Sequence, residues 1–204
     1  MALLKIFVKF LYVYVNSAIS LLSWKRLYRL KEIKLELGSG PKKGLNGYVT
    51  VDIRGADLCR NLKKGIPLKD ESVECIYTSH LLEHIPFQEL ISLLTECKRV
   101  LKRGGVLSVC VPDAYKYIQA YVEKREFIDK DFLYMPALVD TGSFIDQVNY
   151  IAYMDGHHSY MFDEQNLVNT LKKTGFSSVN LRDFNPALDC KDRQFESIYA
   201  MAIK

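Results

Sequence analysis

The chain has 204 residues, 49% of them apolar and 25% charged, with a net charge of +4. That allows one domain with a full core and a small appendage, and it excludes a disordered or low-complexity chain. The excess charge sits at one end. Lys5, Lys9, Lys25, Arg26, Arg29 and Lys31 all precede the first acid, Glu32. Taking those six from 28 bases leaves 22 against 24 acids. A near-neutral body without a large basic stripe is not expected to bind nucleic acid. The five cysteines, Cys59, Cys75, Cys97, Cys110 and Cys190, form no CxxC pair. They predict a reducing, cytoplasmic setting.

Residues 2–24 are strongly apolar, and their exceptions step by three or four: Lys5, Lys9, Tyr12, Asn16, Ser20 and Ser23. This spacing predicts an amphipathic helix with a narrow polar stripe. The uncharged run Phe10–Trp24 is shorter than the ~20 residues of a spanning helix. No small-x-small cleavage site follows. Two readings stay open for this arm, residues 1–31. It lies on a partner or on the inner face of the membrane, making peripheral contact through residues 2–31, or it packs on the chain's own core.

From residue 33 strands and helices alternate. Ile33–Leu37, Tyr48–Ile53, a short piece at Asp57–Leu58 and Val73–Thr78 read as strands. Leu90, Ile91, Leu94, Cys97, Val100 and Leu101 recur at helical spacing after Pro86, with Gly104–Gly105 as the stop. Val106–Val111 is a continuous apolar strand, the kind buried on both faces of a parallel sheet. Residues 114–160 are less regular and rich in Tyr, Phe and Met. Asp163 then caps a helix closed by Gly175, and Ser178–Leu181 and Ser197–Ile203 form an antiparallel end. The class is α/β, a doubly wound and mostly parallel sheet over residues 32–204, with 114–160 as an acceptor-side insertion.

In such sheets the ligand sits past the carboxyl ends of the strands. Three features fall there: the glycine turn Gly38-Ser39-Gly40-Pro41 after Glu36, the carboxylate of Asp52, and Asp57-Leu58. Glycines let a ligand approach the backbone closely. Asp52 can accept both hydroxyls of a ribose. Asp57 can accept from an adenine amino group.

The stretches LELGSGP (35–41), GYVTVDI (47–53), ADLCRNLKKGIPLKDESVECIYTSHLLEHI (56–85) and ECKRVLKRGGVLSVCVPD (96–113) together resemble the class I S-adenosylmethionine-dependent methyltransferases, in their short-chain branch. A weaker echo is HHSYMFDEQNLVNTLKKTGF (157–176). The resemblance implies a seven-stranded Rossmann-like sheet with its last strand antiparallel, and S-adenosylmethionine as cofactor. It implies that Gly38, Ser39 and Gly40 line the methionine part, with Glu36 supporting that loop. Asp52, with Ile53 beside it, would hold the ribose, Asp57 and Leu58 would frame the adenine, and Ser79 and His80 would lie beside the sulfonium. The chain departs from the fuller pattern at Lys42, where a third glycine is usual. Only ten residues separate Gly38 from Tyr48, so the first crossover helix must be vestigial.

Methyl transfer from a sulfonium mainly requires alignment, with a base only where the acceptor loses a proton. His80, Asp113, His157 and His158 are the candidate catalytic residues. His84 is expected to pack or cap near Pro86. No His, Asp or Glu cluster has metal-ligand spacing, so no metal is expected. A nicotinamide oxidoreductase would need Gly-x-Gly-x-x-Gly, and position 43 is Lys. The expected function is methylation of a small-molecule, sugar, or glycan or lipid-linked acceptor. The alternative is a non-catalytic scaffold that binds the cofactor and docks to a membrane or protein complex.

Overall fold

The computed structural model describes residues 23–42, 44, 46–127 and 138–204. Seven strands form one sheet: β1 Lys34–Leu37, β2 Tyr48–Asp52, β3 Leu58–Cys59, β4 Val73–Ser79, β5 Leu101–Pro112, β6 Ser178–Leu181 and β7 Ser197–Ile203. Their spatial order is β3-β2-β1-β4-β5-β7-β6. The first five run parallel, and β7 is antiparallel to both of its neighbours, β5 and β6. The strand order reverses between β1 and β4, so the carboxyl ends of those two strands define the crevice where such sheets take ligands.

The central strands are apolar because both faces are covered. Leu35 and Leu37 of β1, Ile76 of β4 and Leu107, Val109 and Val111 of β5 are all buried. Helix α1, Phe87–Val100, turns Leu90, Leu93, Leu94, Cys97 and Val100 to the core at helical spacing. It ends at Val100, before the glycines expected to stop it. Leu101 already pairs with Val73, and pairing resumes only at Cys75 with Val106. The residues between are extruded as a bulge, with Gly104 in the left-handed region at φ 73°. Helix α4, Glu164–Lys173, begins as expected, with Asp163 accepting from the Asn166 amide at 2.7 Å.

The insertion carries α2, Ala114–Val122, and α3, Ile145–Tyr153. These two helices meet over a second, smaller core of Ala114, Tyr117, Tyr150 and Ile151. Of the three tyrosines in α2, Tyr117 is buried while Tyr115 and Tyr121 are exposed, so they share no face.

The arm meets the body earlier than the boundary at residue 31. Residues 23–27 are helical, and Trp24 and Leu27 belong to the main core. Tyr28 accepts a hydrogen bond from the Lys69 amide. The rest of the predicted amphipathic helix, residues 2–22, lies outside the described residues. No helix among the described residues is long and apolar enough to cross a membrane.

Candidate functional site

β1 ends in a turn whose residues are fixed from three sides. The Gly38 amide donates to the Val51 carbonyl at 2.8 Å. Gly38 holds φ 72°, and a β-carbon there would fall 2.7 Å from the side chain of Leu81. Glycine is therefore required twice over, by conformation and by close approach. Ser39 is buried, its hydroxyl donating to the Gly40 carbonyl. Gly40, at φ 64°, has open space where a side chain would project. Its amide donates to Oδ2 of Asp52 at 2.9 Å, while Oδ1 accepts from the Ile53 amide at 2.6 Å. A carboxylate offers about four lone-pair positions, so two backbone donors leave Asp52 able to accept two more hydrogen bonds. Glu36 is held inside β1 with its carboxyl raised above the usual range by burial and pulled back by Lys42. No described residue between Gly40 and Tyr48 is helical, so the sheet edge opens directly onto this turn.

Asp57 and Leu58 are placed differently from the expectation. Parallel register sets Asp52 level with Cys59 and Val51 with Leu58, which puts Asp57 below the ligand edge. The Asp57 carboxylate turns back to accept from the amide and hydroxyl of Thr50, at 3.1 and 2.9 Å, and from the Gly44 amide. Leu58 is buried in the core. The expected adenine frame therefore braces β2 instead. The second residue past the end of β3 is Asn61, whose Oδ1 caps the turn Leu62–Lys64 by accepting from the Lys63 amide.

β4 delivers Ser79 and His80 to the same edge, with the His80 amide donating to the Cys110 carbonyl. His80 takes φ 50°, a left-handed backbone costly for a branched or bulky residue. Its ring is 7% exposed, with Nε2 2.8 Å from the Ser197 hydroxyl and Nδ1 3.6 Å from the Glu83 carboxylate. Burial, with Arg193 nearby, holds His80 well below the usual histidine range, so its ring is neutral. Both nitrogens face protein, which makes His80 a wall of the site.

Glu83 is the residue that sequence reading passed over. Its side chain is 3% exposed, and neither carboxylate oxygen has a hydrogen-bond partner among the described residues. Burial pushes its carboxyl up to about 8. Around it stand His84 and His158, whose rings meet edge to face at 4.9 Å. Burial lowers both imidazoles. His84 donates from Nδ1 to the His157 carbonyl and His158 from Nδ1 to the Ile151 carbonyl, each at 2.8 Å. His157 itself is exposed and contributes its backbone here. The chain reaches His157 and His158 through Met154 and Asp155, both at positive φ.

Asp113 is buried and accepts from the Tyr115 amide, so it starts α2. Burial raises its carboxyl. Beside it Arg182 makes a two-pronged bond to Asp189, at 2.6 and 2.7 Å, and Asp189 also accepts from the Tyr77 hydroxyl and the Asn185 amide. Asp113, Lys116, Arg182, Ser197 and Tyr199 line an open pocket on this side.

Residues 35–109 match the model of the methyltransferase domain family. No curated protein matches the chain. Among solved structures it is similar to a SAM-dependent methyltransferase, possible histamine N-methyltransferase, from Thermotoga maritima, at 15% identity and TM-score 0.52 over 98% of this chain and 97% of that one. A similar match is an S-adenosylmethionine-dependent methyltransferase from Mesorhizobium loti, with 15% identity and TM-score 0.52 over 89% and 97% of the two chains. A third is PigF with SAH, at 10% identity and TM-score 0.52, covering 85% of this chain and 50% of that one. At such identities the structural likeness establishes the fold.

Proposed function

Because the chain carries a class I S-adenosylmethionine-dependent methyltransferase domain, we propose that it methylates a small-molecule, sugar or lipid-linked glycan acceptor brought to the edge formed by β1 and β4. The observation that carries this reading is Asp52, a carboxylate already oriented by the Gly40 and Ile53 amides and still able to accept from a ribose. The bound cofactor supplies an electrophilic methyl group. Gly38, Ser39 and Gly40 give its amino-acid end bare backbone to lie against, and Gly40 has the room for it. Asn61 and the turn after it take the adenine position that Asp57 does not reach. Ser79 and His80 shape the wall beside the reacting carbon, and Asp113 borders the acceptor side. Burial raises that carboxyl, which makes it a stronger proton acceptor than a free aspartate. The arm, residues 2–31, adds peripheral contact with an anionic membrane, a role supported by its wide apolar face and by the basic flank Lys25–Lys31.

Calorimetric titration with S-adenosylmethionine, S-adenosylhomocysteine and NADH tests the cofactor, and release of S-adenosylhomocysteine across a panel of sugar and glycolipid acceptors tests the reaction. Binding of the two adenosyl compounds without turnover on any acceptor would favour the non-catalytic scaffold. No adenosyl binding would overturn both.

A further inference from the structure

We propose that Glu83, His84 and His158 form a binding site for one divalent metal ion of the zinc class. The ligand atoms these residues offer all lie within 4.8 Å of one another. Two independent features of the geometry point to an ion. The first is the Glu83 carboxylate, shut away from solvent with neither oxygen hydrogen-bonded among the described residues. Its nearest imidazole nitrogens, His80 Nδ1 at 3.6 Å and His84 Nε2 at 3.8 Å, stand beyond hydrogen-bond reach; a buried carboxylate left so is costly, and a cation would satisfy it. The second is the pair of imidazoles. A carbonyl can only accept, so the bonds from His84 Nδ1 to His157 and from His158 Nδ1 to Ile151 place a proton on each Nδ1. In a neutral ring that leaves Nε2 as a lone pair. Histidines that bind metals are characteristically held in this way, one nitrogen donating to a carbonyl and the other directed at the ion.

The distances agree. Oε1 of Glu83 is 3.8 Å from Nε2 of His84, beyond hydrogen-bond reach. Ligand atoms on a tetrahedral zinc ion stand roughly 3.3 Å apart, so this pair would close by about half an ångström and the whole set, now within 4.8 Å, by at most about 1.5 Å. Two imidazoles and one carboxylate suit zinc better than calcium or magnesium, and three protein ligands leave a fourth position open. An acceptor oxygen can occupy that position. This use rests on the methyltransferase reading; the binding of the ion does not. His84 and Glu83 are adjacent, but His158 comes from the end of the insertion, which is why no ligand spacing marks the set in the sequence.

The test uses the full chain, stripped with a chelator and titrated with Co2+ and then Zn2+, followed by calorimetry and visible absorption. One ion per chain, an intense tetrahedral cobalt band abolished by Zn2+, and a higher melting temperature with either ion are expected. His84→Gln and His158→Gln should each weaken binding roughly 100-fold or more, while His157→Ala should not. A folded wild-type chain that takes up no ion, or uptake that survives both substitutions together, overturns the proposal. Titration with S-adenosylhomocysteine on the stripped protein separates the two readings. Its binding with no metal uptake would leave the methyltransferase reading standing alone, and metal uptake without it the reverse.

Discussion

The Gly40 amide donates to Oδ2 of Asp52 across 2.9 Å, tying the turn after β1 to the end of β2. This bond holds the carboxylate in place before any ligand arrives, so its loss should affect binding more than folding. Asp52→Ala is expected to weaken S-adenosylhomocysteine binding by roughly 100-fold or more, since hydrogen bonds to a charged group contribute about 1.5–3 kcal/mol each. Asp52→Asn, which keeps a carbonyl acceptor, should lose less. Calorimetry measures the affinity, and a melting curve checks that both variants fold; unchanged affinity in Asp52→Ala would remove the ribose assignment.

Gly38 and Leu81 set a steric lock between the first and fourth strands. A methyl group at Gly38 meets both a positive φ and the Leu81 side chain at 2.7 Å. Gly38→Ala should destabilise the fold by about 1–3 kcal/mol. Trimming Leu81 to alanine in the same chain removes the Cδ1 and Cδ2 contacts but leaves Cβ at 2.7 Å and the φ strain, so the double variant should lose only slightly less than the sum of the two single losses. Denaturant unfolding of the single and double variants measures this coupling.

The parts that could be read from the sequence are those where local chemistry and tertiary position coincide. β1, β4 and α1 show their periods because one or both faces are buried, and Asp163 both looks like and is a cap. Gly38, Gly40 and Asp52 could be singled out because Gly38 and Gly40 stand in the turn after β1 and Asp52 closes β2. Asp57 could not be placed, since a two-residue strand leaves no pattern from which to judge its level, and register alone sets it beneath Cys59. Glu83 sits in an apolar run where a carboxylate looks like helix surface, and only the fold shows it buried against His158. The Arg182–Asp189 pair joins residues in an irregular stretch with no period to announce them.

That pair is the strongest polar tie near β7. Asp189 has no exposed side-chain surface, and Arg182 is 16% exposed. Removing the acid leaves a guanidinium without its partner in a half-buried site, so Asp189→Ala should cost about 3–5 kcal/mol. Arg182→Met combined with Asp189→Leu should recover part of that loss. Chemical denaturation of the three variants decides it.

Glu196 gives the fold a pH dependence. Its carboxyl is raised above the ordinary 4.5, chiefly by burial, against the lowering effect of the Tyr117 hydroxyl, 2.6 Å away. The folded chain thus holds this proton more tightly than the unfolded chain. The stabilisation is complete below the unfolded value and is lost as pH rises through the folded one. Glu196→Gln cannot titrate, so the difference in stability between wild type and variant should drift in the variant's favour from pH 4.5 upward. Paired melts across that range that stay parallel would contradict the raised carboxyl.

Trp24 ties the end of the arm to the body. Its ring is 2% exposed within the main core, with Leu27 beside it. Trp24→Ala should cost about 3–5 kcal/mol, as for other large buried aromatic residues. If the segment serves attachment, a chain lacking residues 2–22 but keeping Trp24 should retain its melting temperature and its adenosyl binding. The same truncation should abolish co-sedimentation with anionic vesicles, and the intact chain should lose that attachment as salt rises. An intact chain that never sediments with vesicles, or a truncated one that aggregates, would show that the apolar face of residues 2–22 covers the chain's own surface.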